Sequence, residues 1–179
     1  MIRPATPQDA PYVAELMFQA MEKLTYFLIN EENKEKAISL LVELFSLKNN
    51  QYSYENALVY EENNQILGSL VYYNGADFDK LSTAVTEYIQ QKYGRAISLG
   101  KETEAGEYYI DTLSVTPEAQ GKGIGSALLR YLKKSLKNEK LGLLVDVENP
   151  NAEKLYTRVG FSFVDSKILG GGIYKHLVW

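Results

Sequence analysis

The sequence predicts one domain over residues 1–179 of the α/β (α+β) class: a mixed central sheet with flanking helices and an extra helical insertion. Three observations carry this. The hydrophobic period switches repeatedly between two and 3.6, in the order β-α-α-β-β-(α)-β-α-β-α-β-β. Glycines crowd "QGKGIG" (Gln120–Gly125), between an apolar strand and a strong helix. The 179 residues, 45% hydrophobic and 23% charged, suffice for a single sizeable core and leave two domains cramped.

The elements follow in order. Met1–Arg3 reads as a short strand. In "ATPQDAPYVAELMFQAMEKL" Thr6 is an N-cap, Pro7 takes the first helical position and Asp9 completes an approximate capping box. Val13, Leu16, Met17, Ala20, Met21 and Leu24 recur at helical spacing and are core candidates. A second helix is expected over Lys34–Leu47, with Ile38, Leu41, Leu44 and Phe45 on its apolar side. "NALVYEENNQILGSLVYY" reads as two strands around a turn at Glu62–Asn64. The insertion, "DFDKLSTAVTEYIQQKYG", has Asp77 or Asp79 as a cap, a stripe of Phe78, Leu81, Val85 and Ile89, and Gly94 as a stop. The strand "EYYIDTLSV" follows, then the glycine loop, a helix to about Lys137 and the strand "LGLLVDV". A short helix over Pro150–Arg158 ends at Gly160, and "FSFVDSKIL" and "GGIYKHLVW" close the chain as strands.

Composition excludes several functions. A net charge of -4 argues against a nucleic-acid surface. The absence of cysteine removes disulfides, thiolate metal sites and cysteine nucleophiles. The single histidine, His176, leaves little for metal binding or a Ser-His triad, and is expected to be a strand or surface residue. No run reaches the length of a membrane span, and "MIRPATPQDA" has neither the basic start nor the apolar core of a signal peptide, so a cytoplasmic protein without membrane partners is expected. Fourteen tyrosines suit a half-buried cleft as well as a core.

A strand, a glycine turn and a helix N-terminus together make an anion site, because the first helical N–H groups lack partners and the dipole adds positive charge. Glycine lets a phosphate approach the backbone, and Lys122 could add a point charge. A P-loop needs lysine before the serine, which "GIGSA" lacks, and the spacing does not match a dinucleotide fingerprint. A plain tight turn remains the alternative for the loop alone.

Downstream lies "VENPNAEKLYTRVGF" (Val147–Phe161). Gln120-x-x-Gly123-x-Gly125 resembles the acyl-CoA pyrophosphate loop of the GNAT N-acetyltransferase superfamily, and Asn149-x-x-Ala152-x-x-Leu155-Tyr156-x-x-x-Gly160-Phe161 resembles its second signature. The motifs span about Tyr108 to Phe161, and the order of elements is similar over nearly the whole chain. The resemblance implies that the backbone of Gln120, Gly121, Lys122, Gly123, Ile124, Gly125 and Ser126 cradles the pyrophosphate of acetyl-CoA. The main chain of Leu113, Ser114 and Val115 would pair with the pantetheine arm in a gap opened toward "LGLLVDV".

An amine attacking a thioester must first lose a proton, the tetrahedral intermediate needs an oxyanion donor, and the departing thiolate needs a proton. Resemblance gives Tyr156 the last role, against a plain core tyrosine, and a backbone N–H near Leu113 the second. Asn149 matches a pantetheine contact, although before Pro150 it is also a good N-cap. Asp111 is the preferred base, with Glu107 behind it and a water-mediated base as the remaining case. Strict alternation groups Asp111 with Tyr109 and Leu113 on one face, and a bulge would break that parity. Tyr108 and Tyr109 are expected to line the acceptor cleft.

The function expected is acetyl transfer from acetyl-CoA, without a metal, to a small-molecule amine. A protein amino-terminal or lysine amine is the alternative acceptor, and a catalytically idle acyl-CoA sensor or scaffold the alternative function. The Phe78–Tyr93 helix is expected to wall the acceptor pocket, and "GGGIYKHLVW" to offer an edge strand for a homodimer.

Overall fold

A computed structural model describes residues 1–179. Its strands are β1 (Ile2–Pro4), β2 (Ala57–Glu62), β3 (Gln65–Asn74), β4 (Tyr108–Val115), β5 (Leu141–Asp146), β6 (Ser162–Leu169) and β7 (Gly172–Val178). They form one seven-stranded sheet in the order β1-β2-β3-β4-β5-β7-β6. Every neighbouring pair is antiparallel except β4 and β5, which are parallel. The helices are α1 (Ala10–Ile29), α2 (Lys34–Ser46), α3 (Phe78–Tyr93), α4 (Ile124–Ser135) and α5 (Pro150–Val159).

Adjacent residues of β3 show how the sheet divides the core. Val71 joins Met17, Leu40, Phe45 and Ile89 beneath α1, α2 and α3, on what we call the front face. Leu70 joins Leu128, Leu129 and Phe161 beneath α4 and α5 on the back. The period-two alternation of a strand buried on both faces therefore reads as a continuous apolar run. The β2–β3 turn falls at Asn63 and Asn64, both with positive φ (51° and 60°), the geometry that matches strand twist in a two-residue hairpin.

Helix ends differ from expectation for local reasons. Pro7–Asp9 forms a 3-10 turn before α1, and the Asp9 carboxylate accepts the Thr6 N–H at 2.7 Å. The helix then runs past Leu24 to Ile29, where Asn30 adopts a left-handed conformation. Neither Asp77 nor Asp79 supplies the cap at α3. Asn74 Oδ1 instead accepts from Ala76 N (2.9 Å) in the 3-10 turn that leads into the helix.

Along α3, Phe78, Val85 and Ile89 are buried, and Glu43 of α2 is paired with Lys92 and accepts from the Tyr88 hydroxyl. The inserted helix is thus packed into the front layer, and its first turn, through Phe78 and Leu81, reaches the tyrosines Tyr73 and Tyr109. Residues 95–107, between α3 and β4, have no regular structure and lie against the sheet. Thr103 there is buried and its hydroxyl donates to Glu107 Oε1 at 2.8 Å.

The C-terminal strand is not an edge. β7 sits between β5 and β6, so the free edge belongs to β6, where a bulge at Val164 and exposed Asp165 interrupt the ladder. None of the helices is long and apolar enough to cross a membrane.

The back-face core makes a direct prediction. Leu128 is fully buried between sheet and helix. Leu128→Ala should lower unfolding stability by about 2–5 kcal/mol in urea titrations, and a loss below about 1 kcal/mol would place α4 off the sheet.

Candidate active site

β4 and β5 pair only over Tyr108↔Leu141, Tyr109↔Gly142 and Ile110↔Leu143, and then separate. On the other side β4 stays paired with β3 to Val115. There Thr112 faces Val71 and Ile110 faces Tyr72, so Asp111 is an extra residue, a bulge. The strands part where the bulge lies.

Thr116 N donates to Leu67 O at 2.9 Å, which sets the phase of the β3–β4 ladder. In that phase Leu113 and Val115 turn their N–H and C=O groups away from β3, into the gap, whereas those of Ser114 face its partner Ser69. The Val115 carbonyl accepts from Gln19 Nε2 and Gln120 Nε2, both at 3.1 Å. The Leu113 N–H, like that of Val115, is a free donor in the gap.

At the end of β4 the loop uses some of its own donors. Gln120 N donates to Pro117 O and Lys122 N to Ala119 O. The N–H groups of Gly121, Gly123, Ile124, Gly125 and Ser126 have no intrachain acceptor. Gly121 and Gly123 hold positive φ (76° and 85°) with open space where a Cβ would point, so glycine serves the conformation there. Gly125 differs: a Cβ would lie 3.3 Å from Leu155 and 3.8 Å from Leu113, so its lack of one lets α4 approach β4 and α5. A row of free donors at a helix N-terminus fits a pyrophosphate, and the gap beside Leu113 fits an extended arm.

Residues 21–161 match the model of the acetyltransferase (GNAT) family. The chain belongs to the GNAT family. Its fold superposes on an N-acetyltransferase from Staphylococcus aureus Mu50 with a TM-score of 0.89 at 30% identity, covering 100% of both chains. A second acetyltransferase structure gives a TM-score of 0.82 at 33% identity, over 99% of this chain and 97% of that one. Mycothiol acetyltransferase from Paenarthrobacter aurescens is 38% identical over 80 residues, which is 43% of this chain and 24% of that protein. The chain thus spans about a quarter of the length of that curated relative.

Within this GNAT frame, Asp111 is the carboxylate at the mouth of the gap. Gln51 Nε2 (3.2 Å) and the Tyr73 hydroxyl (3.3 Å) donate to its Oδ2. Tyr73 packs against Tyr109 with ring centroids 5.7 Å apart. The bulge keeps Asp111 with Tyr109 on the front face and sends Leu113 to the back, so the grouping expected from strict alternation fails at Leu113. Tyr108 also faces the back, beside Tyr72 at 6.4 Å, and does not line the front with Tyr109.

Glu107 is held elsewhere. Its carboxylate lies over Gly142, where a Cβ would clash at 2.0 Å, and accepts from Thr103 Oγ1. His176 Nε2 sits 2.9 Å from Glu107, and His176 Nδ1 sits 3.3 Å from Asp165. Glu107 thus braces residues 95–107 to β7, below the level at which the gap opens. Tyr156 projects from α5 and packs edge-on against Phe161 at 5.8 Å; burial pushes its hydroxyl up to about 12. Asn149 Oδ1 accepts from Ala152 N at 3.1 Å, so capping occupies its carbonyl and leaves its amide NH2 out of the cap. Lys122 is exposed beside the free donors.

Sequence reasoning missed Glu102, Gln51, Tyr52 and Tyr73. Glu102 lies in residues 95–107, where no period marks it, and faces the Tyr109 hydroxyl. The only signal was the abundance of tyrosine. Asp111 is pushed well above the usual carboxylate range by burial and then by the charge of Glu102, opposed by the Tyr73 and Gln51 hydrogen bonds. Burial likewise raises Glu102, opposed by Tyr109.

A carboxyl raised on folding contributes stability below its unfolded value of about 4 and loses that contribution as pH rises through its folded value. Wild-type stability should therefore fall as pH climbs from the ordinary carboxylate range toward neutrality, and Asp111→Asn should flatten that fall. Urea titrations at several pH values measure it; parallel profiles for the two proteins would mean that Asp111 ionises normally.

Proposed function

We propose that the chain is an acetyl-CoA-dependent N-acetyltransferase whose acceptor is a small-molecule amine. The observation that carries this reading is the coincidence of three features at one gap: the free N–H row from Gly121 to Ser126, the free Leu113 N–H, and Asp111 at the bulge. Bound acetyl-CoA would supply an activated acetyl group as a thioester. Gly121, Gly123, Ile124, Gly125 and Ser126 would bind its pyrophosphate, with Lys122 as a neighbouring positive charge. Leu113 and Val115 would align its arm, together with the amide NH2 of Asn149.

The remaining roles follow from the side chains. Asp111 accepts the proton that the acceptor's ammonium must lose. Its raised affinity for protons makes it a better base than an ordinary carboxylate. The amine nitrogen forms its bond to the acetyl carbon as the carbon–sulfur bond breaks, and the Leu113 N–H stabilises the charge developing on the carbonyl oxygen. Tyr156, protonated at neutral pH, gives a proton or hydrogen bond to the leaving sulfur. Glu107, already engaged by Thr103 and His176, is assigned a bracing role. A cytoplasmic location and a homodimer belong to the same proposal.

Two variants test the assignment in calorimetry with acetyl-CoA and in free-thiol release with a panel of amines. Gly123→Asp puts an anion and a strained left-handed backbone among the donors, and should abolish acetyl-CoA binding in a folded protein. Undiminished affinity would remove the pyrophosphate site from this loop. Tyr156→Phe should keep acetyl-CoA affinity and lower kcat by about 10²-fold; an unchanged chemical step would return Tyr156 to a packing role.

A further inference from the structure

Between α2 and β2 the chain buries Asn50, Gln51, Tyr52 and Ser53 in succession, although the stretch is neither helix nor strand and three of the four are uncharged polar residues. Connecting segments ordinarily run over the surface, where water satisfies their backbone groups. Here Asn50 does so. Its Nδ2 donates to Leu44 O (2.9 Å) and Leu47 O (3.1 Å) at the end of α2, and its Oδ1 accepts from Tyr52 N (2.9 Å). Its own carbonyl accepts from Ser53 N at 3.1 Å and from Asn56 Nδ2 at 3.0 Å. One residue therefore ties both flanks of Gln51 and fixes the backbone that carries it.

Gln51 is 2% exposed, and its side chain crosses to β4. Its Nε2 donates to Asp111 Oδ2 at 3.2 Å, while its Oε1 is buried without a partner. An apolar side chain would fill the same space without stranding a polar atom away from water, which is costly. The contact with Asp111 is what the burial of Gln51 serves. The Tyr73 hydroxyl donates to the same oxygen at 3.3 Å. Both donors thus converge on Oδ2. They leave Oδ1 without an intrachain donor on a side chain that is itself partly exposed, and no ion pair includes Asp111.

We propose that Gln51 is a positioning residue: with Tyr73 it fixes Asp111 by Oδ2, so that Oδ1 takes the proton from the acceptor's nitrogen. This inference rests on the N-acetyltransferase reading of the site. One N–H bond of the acceptor's ammonium breaks, its electron pair stays on nitrogen as the attacking lone pair, and the proton bonds to Oδ1. Oδ2 then becomes the carbonyl oxygen of the acid and still accepts from both donors, so the clamp lasts through the transfer. Two donors on one oxygen keep the carboxylate from turning about its side-chain bonds, and the lone pairs of Oδ1 stay aimed at one place. Gln51 is also neutral. A cation in its place would favour ionised Asp111 so strongly that the carboxylate would be a poor base.

The test compares wild type with Gln51→Met, which keeps the length of the side chain and removes the donor. The ionisable groups around Asp111 are Tyr52 in the Gln51 loop, Tyr73 on β3, Tyr109 on β4 and Glu102 in residues 95–107, and all stay in place in this variant. A donor on a carboxylate favours its ionised form, and the Gln51 and Tyr73 bonds both act on Asp111 in that direction. Gln51→Met should therefore lower kcat by about 10-fold, keep acetyl-CoA affinity, and move the acid limb of the kcat/KM profile to higher pH. In the free protein, carbon-13 carboxyl NMR, with Asp111 assigned through Asp111→Asn, should show its titration midpoint raised in Gln51→Met and in Tyr73→Phe. An acid limb or a midpoint that stays in place in Gln51→Met, or a loss of acetyl-CoA affinity as large as the loss of kcat, overturns the proposal. The NMR titration separates this result from the transferase reading. If no amine in the panel is acetylated, that reading falls, whereas a raised midpoint still upholds the clamp and an unmoved one refutes it.

Discussion

The site depends on one extra residue in one strand. β4 must remain hydrogen-bonded to β3 and yet release β5, and the bulge at Asp111 lies where these demands meet. A bulge increases local twist and bends the strand that carries it, which helps the parallel partner diverge. It also keeps Asp111 in phase with Tyr109 and turns Leu113 to the back face. The same irregularity therefore accompanies the opening of the gap and sets a carboxylate at its mouth. Past it, the Leu113 N–H is directed away from β3. A regular strand would keep Leu113 in phase with Asp111 and Tyr109.

The two sides of the gap are built by different means. On the pyrophosphate side, local chemistry is enough: two left-handed glycines and the unpaired first turn of α4 produce a row of donors from a short stretch of chain. On the acceptor side, nothing is local. Gln51 comes from the loop after α2, Tyr73 from β3, Asp111 from β4 and Glu102 from residues 95–107. Phe78, at the start of α3, packs under the tyrosine pair, and the brace from Thr103 through Glu107 to His176 holds the Glu102 segment against the sheet.

This difference explains what could be read from the sequence. The order of strands and helices, the insertion and the glycine loop were legible because periodicity, caps and glycines act over a few residues. Asp111 was legible as a candidate because it lies on the strand leading into that loop. Its phase relative to Leu113 was not, because a bulge is settled by pairing with Val71 and Tyr72. Glu102 had no period and no motif around it, and only tertiary packing brings it to Tyr109. Tyr108 and Tyr109 are neighbours of one residue type, yet they face opposite sides of the sheet.

Burial of Asp111 and Glu102 together opposes folding, because each carboxyl is costly to ionise away from water and the charges repel. The fold offsets part of this with donors, the Tyr73 hydroxyl and Gln51 amide on Asp111 and the Tyr109 hydroxyl facing Glu102. Those donors are neutral, so they satisfy lone pairs without cancelling charge. Replacing one with a lysine or arginine would stabilise the free protein and block the place where an ammonium must arrive. Burial therefore holds protons on this pair more tightly than on ordinary carboxyls, and the layers packed on both faces of the sheet supply the stability that allows it.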